Sequence, residues 1–219
     1  MRIRHGRISL ELHELTRAEG PALLLLHALY ASSAAWGEAP AAWPGRVYAL
    51  DFCGHGRSDR LAGGGYQAEL LAADADAALA HVGSAAIAGA GIGAYVALLL
   101  AGARKDLVPA ALLLPGAGLA GAGPVPNSPA PRRSFDQPEP DEPETGDYDP
   151  MVRALDRDVR PTDYAEPFAR SAHKLLFAEN GQDRPPWWKA CRRSPVVQSV
   201  PVELPLALAR LAAAVGKQR

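Results

Sequence analysis

Residues 85 to 102, AAIAGAGIGAYVALLLAG, constrain this chain more than any other stretch. A short apolar run ends in a glycine-rich turn, Gly89-Ala90-Gly91-Ile92-Gly93, and an alanine-rich helix follows. Continuous apolarity over so few residues is the pattern of a strand buried on both faces of a parallel sheet. A sharp turn from strand to helix forces a strained backbone, which glycine adopts without a Cβ penalty. The unit reads strand, tight turn, helix.

The rest of the chain repeats that rhythm. RISLELHEL (7–15) alternates apolar and polar residues, as a half-buried strand does, and a hairpin with the residues after it is left open. PALLLLHAL (21–29) is a second strand buried on both faces, and SSAAWGEAPAAW (32–43) is predicted as a short helix capped by Ser32 or Ser33. RVYALDF (46–52) is the next strand, followed by the glycine-dense loop CGHGRSDRLAGGG and a helix over 66–83 that ends on a glycine. After the glycine turn come a helix from Ile92 to about Ala103 and a strand over 109–116. A closing block then reads strand (173–179), helix (184–194), strand (196–201), helix (204–215). Strands and helices alternating in this way predict an α/β fold, a mostly parallel sheet flanked by helices.

Residues 121–150 interrupt the pattern. They hold eight prolines and seven acidic residues with almost no apolar content, so they cannot bury a core and are expected to form a flexible excursion, extended or disordered. The whole of 1–219 is otherwise expected to be one domain, since 219 residues suffice for one core. A net charge of −1 gives no argument for nucleic acid or a membrane surface as partner. Two cysteines, Cys53 and Cys191, make no disulfide framework, and no C-x-x-C pair suggests zinc or redox chemistry. No apolar run approaches the ~18 residues of a membrane span, and the N-terminus lacks the apolar core of a signal peptide. A cytoplasmic protein with no cofactor and no metal is expected, with a small-molecule ligand of unknown identity and a homodimer left open.

Three segments resemble the α/β-hydrolase superfamily. LLLLHALYASSAAW is similar to the apolar strand followed by His-Gly, whose loop helps to build an oxyanion hole. DFCGHGRSD is similar to the D-x-x-G-x-G-x-S loop after the next strand. GAGIGAYVALLLA is similar to the G-x-S-x-G nucleophile elbow at every position except the nucleophile. The resemblance implies the hydrolase sheet, with 121–150 at the position of a helical lid but too polar to be one. It implies a pocket and oxyanion hole formed by His27, Ala28, Leu29, Gly91 and Ile92.

The departures carry the functional reading. The triad of this superfamily runs serine, acid, histidine, with the histidine after the last strand. Gly91 stands at the serine position. Glu179 and Asp183 are available at the acid position. After the final strand, PVELPLALARLAAAVGKQR contains no histidine, and beyond the elbow only His173 remains, placed before a strand. A glycine offers no nucleophile, and loss of such a residue costs on the order of a millionfold in turnover. A similar serine-less elbow occurs in the N-myc downstream-regulated family. The leading expectation is therefore a degenerate hydrolase fold that binds a small ligand or partner with little or no hydrolysis.

Two alternatives stay open. An ester hydrolase could work through Cys53 as nucleophile with His55 as its base, or through water held by His27 and His55. Against this, His27 reads first as a histidine bonded to neighbouring backbone, and Asp51, His55 and Ser58 as structural members of their loop. Trp187 and Trp188 read as a packing face. The second alternative is nucleotide or anion binding at the elbow, because Gly89, Gly91 and Ala94 spell G-x-G-x-x-A after a strand. The acid which that fingerprint wants at the end of the next strand is missing from LLLPGAG. Gly116, Gly118 and Gly121 spell a second such motif, but Pro124 follows in place of a helix.

Overall fold

The computed structural model describes residues 1–118, 146–157, 161, 163–181 and 184–216. Eight strands form one sheet: β1 (Arg2–His5), β2 (Ile8–Arg17), β3 (Ala22–Leu26), β4 (Arg46–Leu50), β5 (Ala85–Ala90), β6 (Ala111–Leu114), β7 (Leu175–Ala178) and β8 (Val197–Val200). Their order across the sheet is β1-β2-β4-β3-β5-β6-β7-β8. β1 and β2 pair antiparallel, as do β2 and β4, and every pairing from β4 onward is parallel.

Side-chain alternation along the parallel strands sorts the core into two layers. On one face Leu24, Leu26, Ile87 and Leu113 pack with the helices α1 (Ala68–Val82) and α2 (Ile92–Ala103). On the other face Leu23, Leu25, Ala88 and Leu112 pack with α5 (Leu204–Gly216) and with Trp36 and Trp43. β3 is buried at all five positions, which explains why its sequence carries no polar residue. α2 is buried from Ile92 to Ala101, because the sheet lies on one side and α1 and α3 (Glu166–Ser171) on the other. A helix enclosed all round has no polar face to show.

Several local expectations are revised. The N-terminal hairpin forms with the residues before RISLELHEL, not after: Arg2 pairs with Glu11 and His5 with Ile8. The helix expected over 32–43 is two 3-10 turns, Ser33–Trp36 and Ala39–Ala42. Neither serine side chain caps them; instead the Ser33 amide donates to Asp51 Oδ1 at 2.7 Å, so a buried carboxylate fixes the turn. α3 was not foreseen, and α4 (Pro186–Cys191) is shorter than the run expected there.

Most of the 121–150 excursion lies outside the described residues, as do Arg132 and Arg133 within it. Its last residues, 146–150, are described, and they are pinned. The Gly56 amide donates to the Asp147 carbonyl and the Asp149 amide to the Gly54 carbonyl, each at 2.7 Å. Tyr66 donates its hydroxyl to Asp149 at 2.7 Å. A 3-10 segment, Pro150–Arg157, follows.

Candidate functional site

β5 delivers Gly91 to the C-terminal edge of the sheet, where α2 begins. Gly91 has φ 55° and ψ −120°, in the positive-φ region that L side chains rarely adopt. The close crossing behind it depends on Gly89 and Gly93. A Cβ on Gly93 would overlap the carbonyls of Leu26 and His27, and one on Gly89 would overlap the carbonyl of Gly93. The glycine spacing thus serves helix-on-strand approach at two positions and the turn itself at the third.

The space in front of Gly91 is filled by this chain. Pro115-Gly116-Ala117-Gly118, leaving β6, crosses the elbow. The Ala117 carbonyl accepts the Ile92 amide at 3.0 Å and the Leu29 amide at 3.1 Å. These are the two amides that the resemblance assigns to an oxyanion hole, one after the nucleophile position and one from the loop after β3. A Cβ on Gly91 would overlap the same carbonyl oxygen and would stand 2.7 Å from the Gly116 carbonyl carbon. One peptide group therefore occupies both the serine's place and the oxyanion's. It also corrects the expectation of an anion on the bare elbow amides, because the Ile92 N–H is already taken.

His27 is buried and both ring nitrogens are engaged. Nδ1 meets the Ala28 carbonyl at 2.7 Å, and the Phe52 amide donates to Nε2 at 3.1 Å. That pattern requires a neutral ring with its proton on Nδ1. Burial pushes its pKa down to about 4. No lone pair is left to hold or activate a water.

Cys53 and His55 do not form a catalytic pair. The Cys53 thiol meets the Asp59 carbonyl at 3.2 Å, and His55 Nδ1 meets the Cys53 carbonyl rather than its sulfur, also at 3.2 Å. Burial, with Asp74 and Asp59 adding to it, pushes the thiol up to about 12, so no thiolate is present near neutrality. His55 is wholly buried against His27, ring centroids 4.9 Å apart. Burial and the neighbouring His27 push it down to about 3. Asp51 holds the loop together by accepting the amides of Ser33 and Arg57 and the His13 ring. Ser58 donates to the Asp51 carbonyl.

Glu179 lies just past β7, at the position foreseen for an acid. Its carboxylate accepts Trp188 Nε1 at 3.3 Å and Ser199 Oγ at 2.7 Å, and pairs with Arg192 at 2.9 Å. Asp183 lies outside the described residues. His173 is exposed and precedes β7, whereas Gly91 follows β5. Since β5, β6 and β7 run parallel, the two sit at opposite edges of the sheet. Past β8, Pro201, Val202 and Glu203 lead directly into α5.

What remains beside the elbow is a cavity of about 120 Å³, bounded by Gly91, Pro115, Gly118, Arg184, Trp187 and Trp188 among others. Sequence reasoning missed the roles of Ala117 and Arg184. The signal for the first was present: a run of small residues, Gly116-Ala117-Gly118, leaves the strand beside a glycine that lacks the side chain it would otherwise meet. Nothing local marks Arg184. No group of three or more His, Cys, Asp or Glu among the described residues could hold a metal, and no helix among them is long and apolar enough to cross a membrane.

A family model described as alpha/beta hydrolase fold matches residues 21–192. Among solved structures, a hypothetical protein, PA1622, from Pseudomonas aeruginosa PAO1 superposes with a TM-score of 0.72 at 18% identity, covering 100% of this chain and 99% of that one. An (E)-2-(acetamidomethylene)succinate hydrolase gives 0.70 at 20% identity, with 99% and 98% coverage. Est1E from Butyrivibrio proteoclasticus, solved with ferulic acid bound, gives 0.68 at 17% identity, with 100% and 98% coverage. No curated protein matches the sequence. The sheet order, the strand-elbow-helix unit and the match over 21–192 agree: this chain belongs to the α/β-hydrolase fold family.

Proposed function

We propose that this protein is a catalytically degenerate α/β-hydrolase that binds a small ligand at the vestigial site and hydrolyses it feebly or not at all. One observation carries the reading. The Ala117 carbonyl accepts both amides that would stabilise an oxyanion and fills the volume of a side chain at residue 91. Removing a single oxyanion-hole donor costs roughly 10²–10³ in turnover. Here both donors are engaged, the nucleophile position is a glycine, and His27 has both ring nitrogens bonded to backbone, while His55 Nε2, which meets no partner, is buried in the loop after β4. The cavity beside Gly91 supports binding as the retained capacity. Two unpaired, buried cysteines favour a reducing, cytoplasmic setting.

An ester panel tests the proposal. Purified protein should turn over activated short-chain aryl and alkyl esters at rates close to the buffer background. Turnover above about 1 s⁻¹, within the ordinary enzyme range, would overturn it.

A further inference from the structure

The cavity at the elbow has one charged wall. Pro115, Gly118 and Trp187 give it apolar sides, and Arg184 and Trp188 close it. The same two side chains border a second hollow of about 300 Å³, which also holds Lys189, Arg192 and Glu179. The Arg184 guanidinium lies over the Trp188 ring, 5.6 Å from its centroid. One of its amino groups reaches Asn180 Oδ1 at 2.8 Å and, at a long 3.4 Å, the Ala178 carbonyl. Its Nε is buried and meets no acceptor. A guanidinium carries five N–H donors in a planar fork, and this one is under-supplied with acceptors. Among the described residues, the carboxylate of Glu179, which borders the same hollow, does not fill the need, because it is engaged by Trp188, Ser199 and Arg192.

We propose, building on the non-hydrolytic reading above, that the elbow cavity binds a small aromatic carboxylate, with its ring against Trp187 and the Pro115–Gly118 backbone and its carboxylate on Arg184. The fork geometry of arginine matches a planar carboxylate held by two parallel hydrogen bonds. The volume suits a single ring, near the roughly 150 Å³ cavity that admits benzene, and falls short of a drug-sized ligand. One arginine on the cavity side balances one negative charge. Arg192 and Lys189 lie beyond Trp188 and add a favourable field, against which Glu179 is already paired. The Gly91 turn contributes shape here and no hydrogen-bond donor.

Phenylacetate and its neutral isostere phenylacetamide are the probes, titrated into the full chain by calorimetry. Phenylacetate should bind about tenfold or more tightly than the amide, since a charged pair is lost. Arg184→Gln should erase that preference, and Arg184→Lys should keep part of it, because the charge remains while the fork is gone. Trp187 and Trp188 indole N–H resonances of the unmutated protein should shift on titration, ahead of those of Trp36 and Trp43, which locates the ligand without any variant. Equal binding of acid and amide, no binding of either at millimolar concentration, a preference that survives Arg184→Gln in a folded variant, or shifts confined to Trp36 and Trp43 would each overturn the proposal. Hydrolysis of phenylacetate esters, followed on the same samples, would instead overturn the non-hydrolytic reading. Absence of carboxylate preference without hydrolysis removes only the ligand assignment.

Discussion

At residue 91 a missing hydroxyl is the smaller part of the story. A glycine at an elbow relieves backbone strain, and from the sequence that relief alone suggests a Gly91→Ser penalty of roughly 1 kcal/mol. The structure adds a second term, because the new Cβ would run into the Ala117 carbonyl and crowd Gly116. Strain at positive φ and overpacking against backbone together make the expected loss roughly 2–4 kcal/mol. Urea denaturation of Gly91→Ser measures it, with ester turnover followed on the same preparation. The variant should be destabilised and remain inactive, because His27 has both nitrogens bonded to backbone and His173 lies at the far edge of the sheet. An unchanged or raised stability would contradict the filled elbow.

The elements show which features of a sequence are legible and which are not. β3 and β5 were legible because a short, wholly apolar run has few other ways to exist in a small α/β domain. α1 was bounded to within two residues by its apolar spacing and by Gly83 after it. The stretch 32–43 was not, because its start is fixed by Asp51, eighteen residues away from Ser33, and not by a local cap. α3 is six residues long, too short for periodicity to register, and it is held by packing on α2. The candidate site follows the same division. The Gly91 position and Glu179 could be read from order and spacing alone. The plug at Ala117 was marked only by the small-residue run Gly116-Ala117-Gly118, which allows a close crossing but does not say where a backbone carbonyl points, and the engagement of Glu179 with Ser199 and Arg192 is set by tertiary contact.

For the molecule as a whole, two neutral, buried imidazoles set the response to acid. His27 is held at about 4 and His55 at about 3, both by burial first. In the unfolded chain each would take a proton near pH 6.5. Between those limits the unfolded state binds more protons, so stability is complete above about pH 6.5 and is lost as pH falls. Each histidine contributes a slope of roughly 1.4 kcal/mol per pH unit. Asp74, raised by burial, offsets part of this by taking up a proton in the folded state. Asp51 is buried too, but the Arg57 and Ser33 amides outweigh that and hold it below the usual carboxylate range, so it prolongs the loss at lower pH. Denaturation midpoints should therefore fall steadily from pH 6 to pH 4, and less steeply in His55→Phe; a flat profile would contradict the neutral histidine pair. The most direct test of the central claim is amide hydrogen exchange at Leu29 and Ile92, resolved by NMR. If the Ala117 carbonyl holds both amides, they should exchange at the slow rates of the β5 and α2 backbone, in the absence of any ligand. Fast exchange at both positions, with neighbouring α2 amides still protected, would mean an open oxyanion hole and would contradict the account.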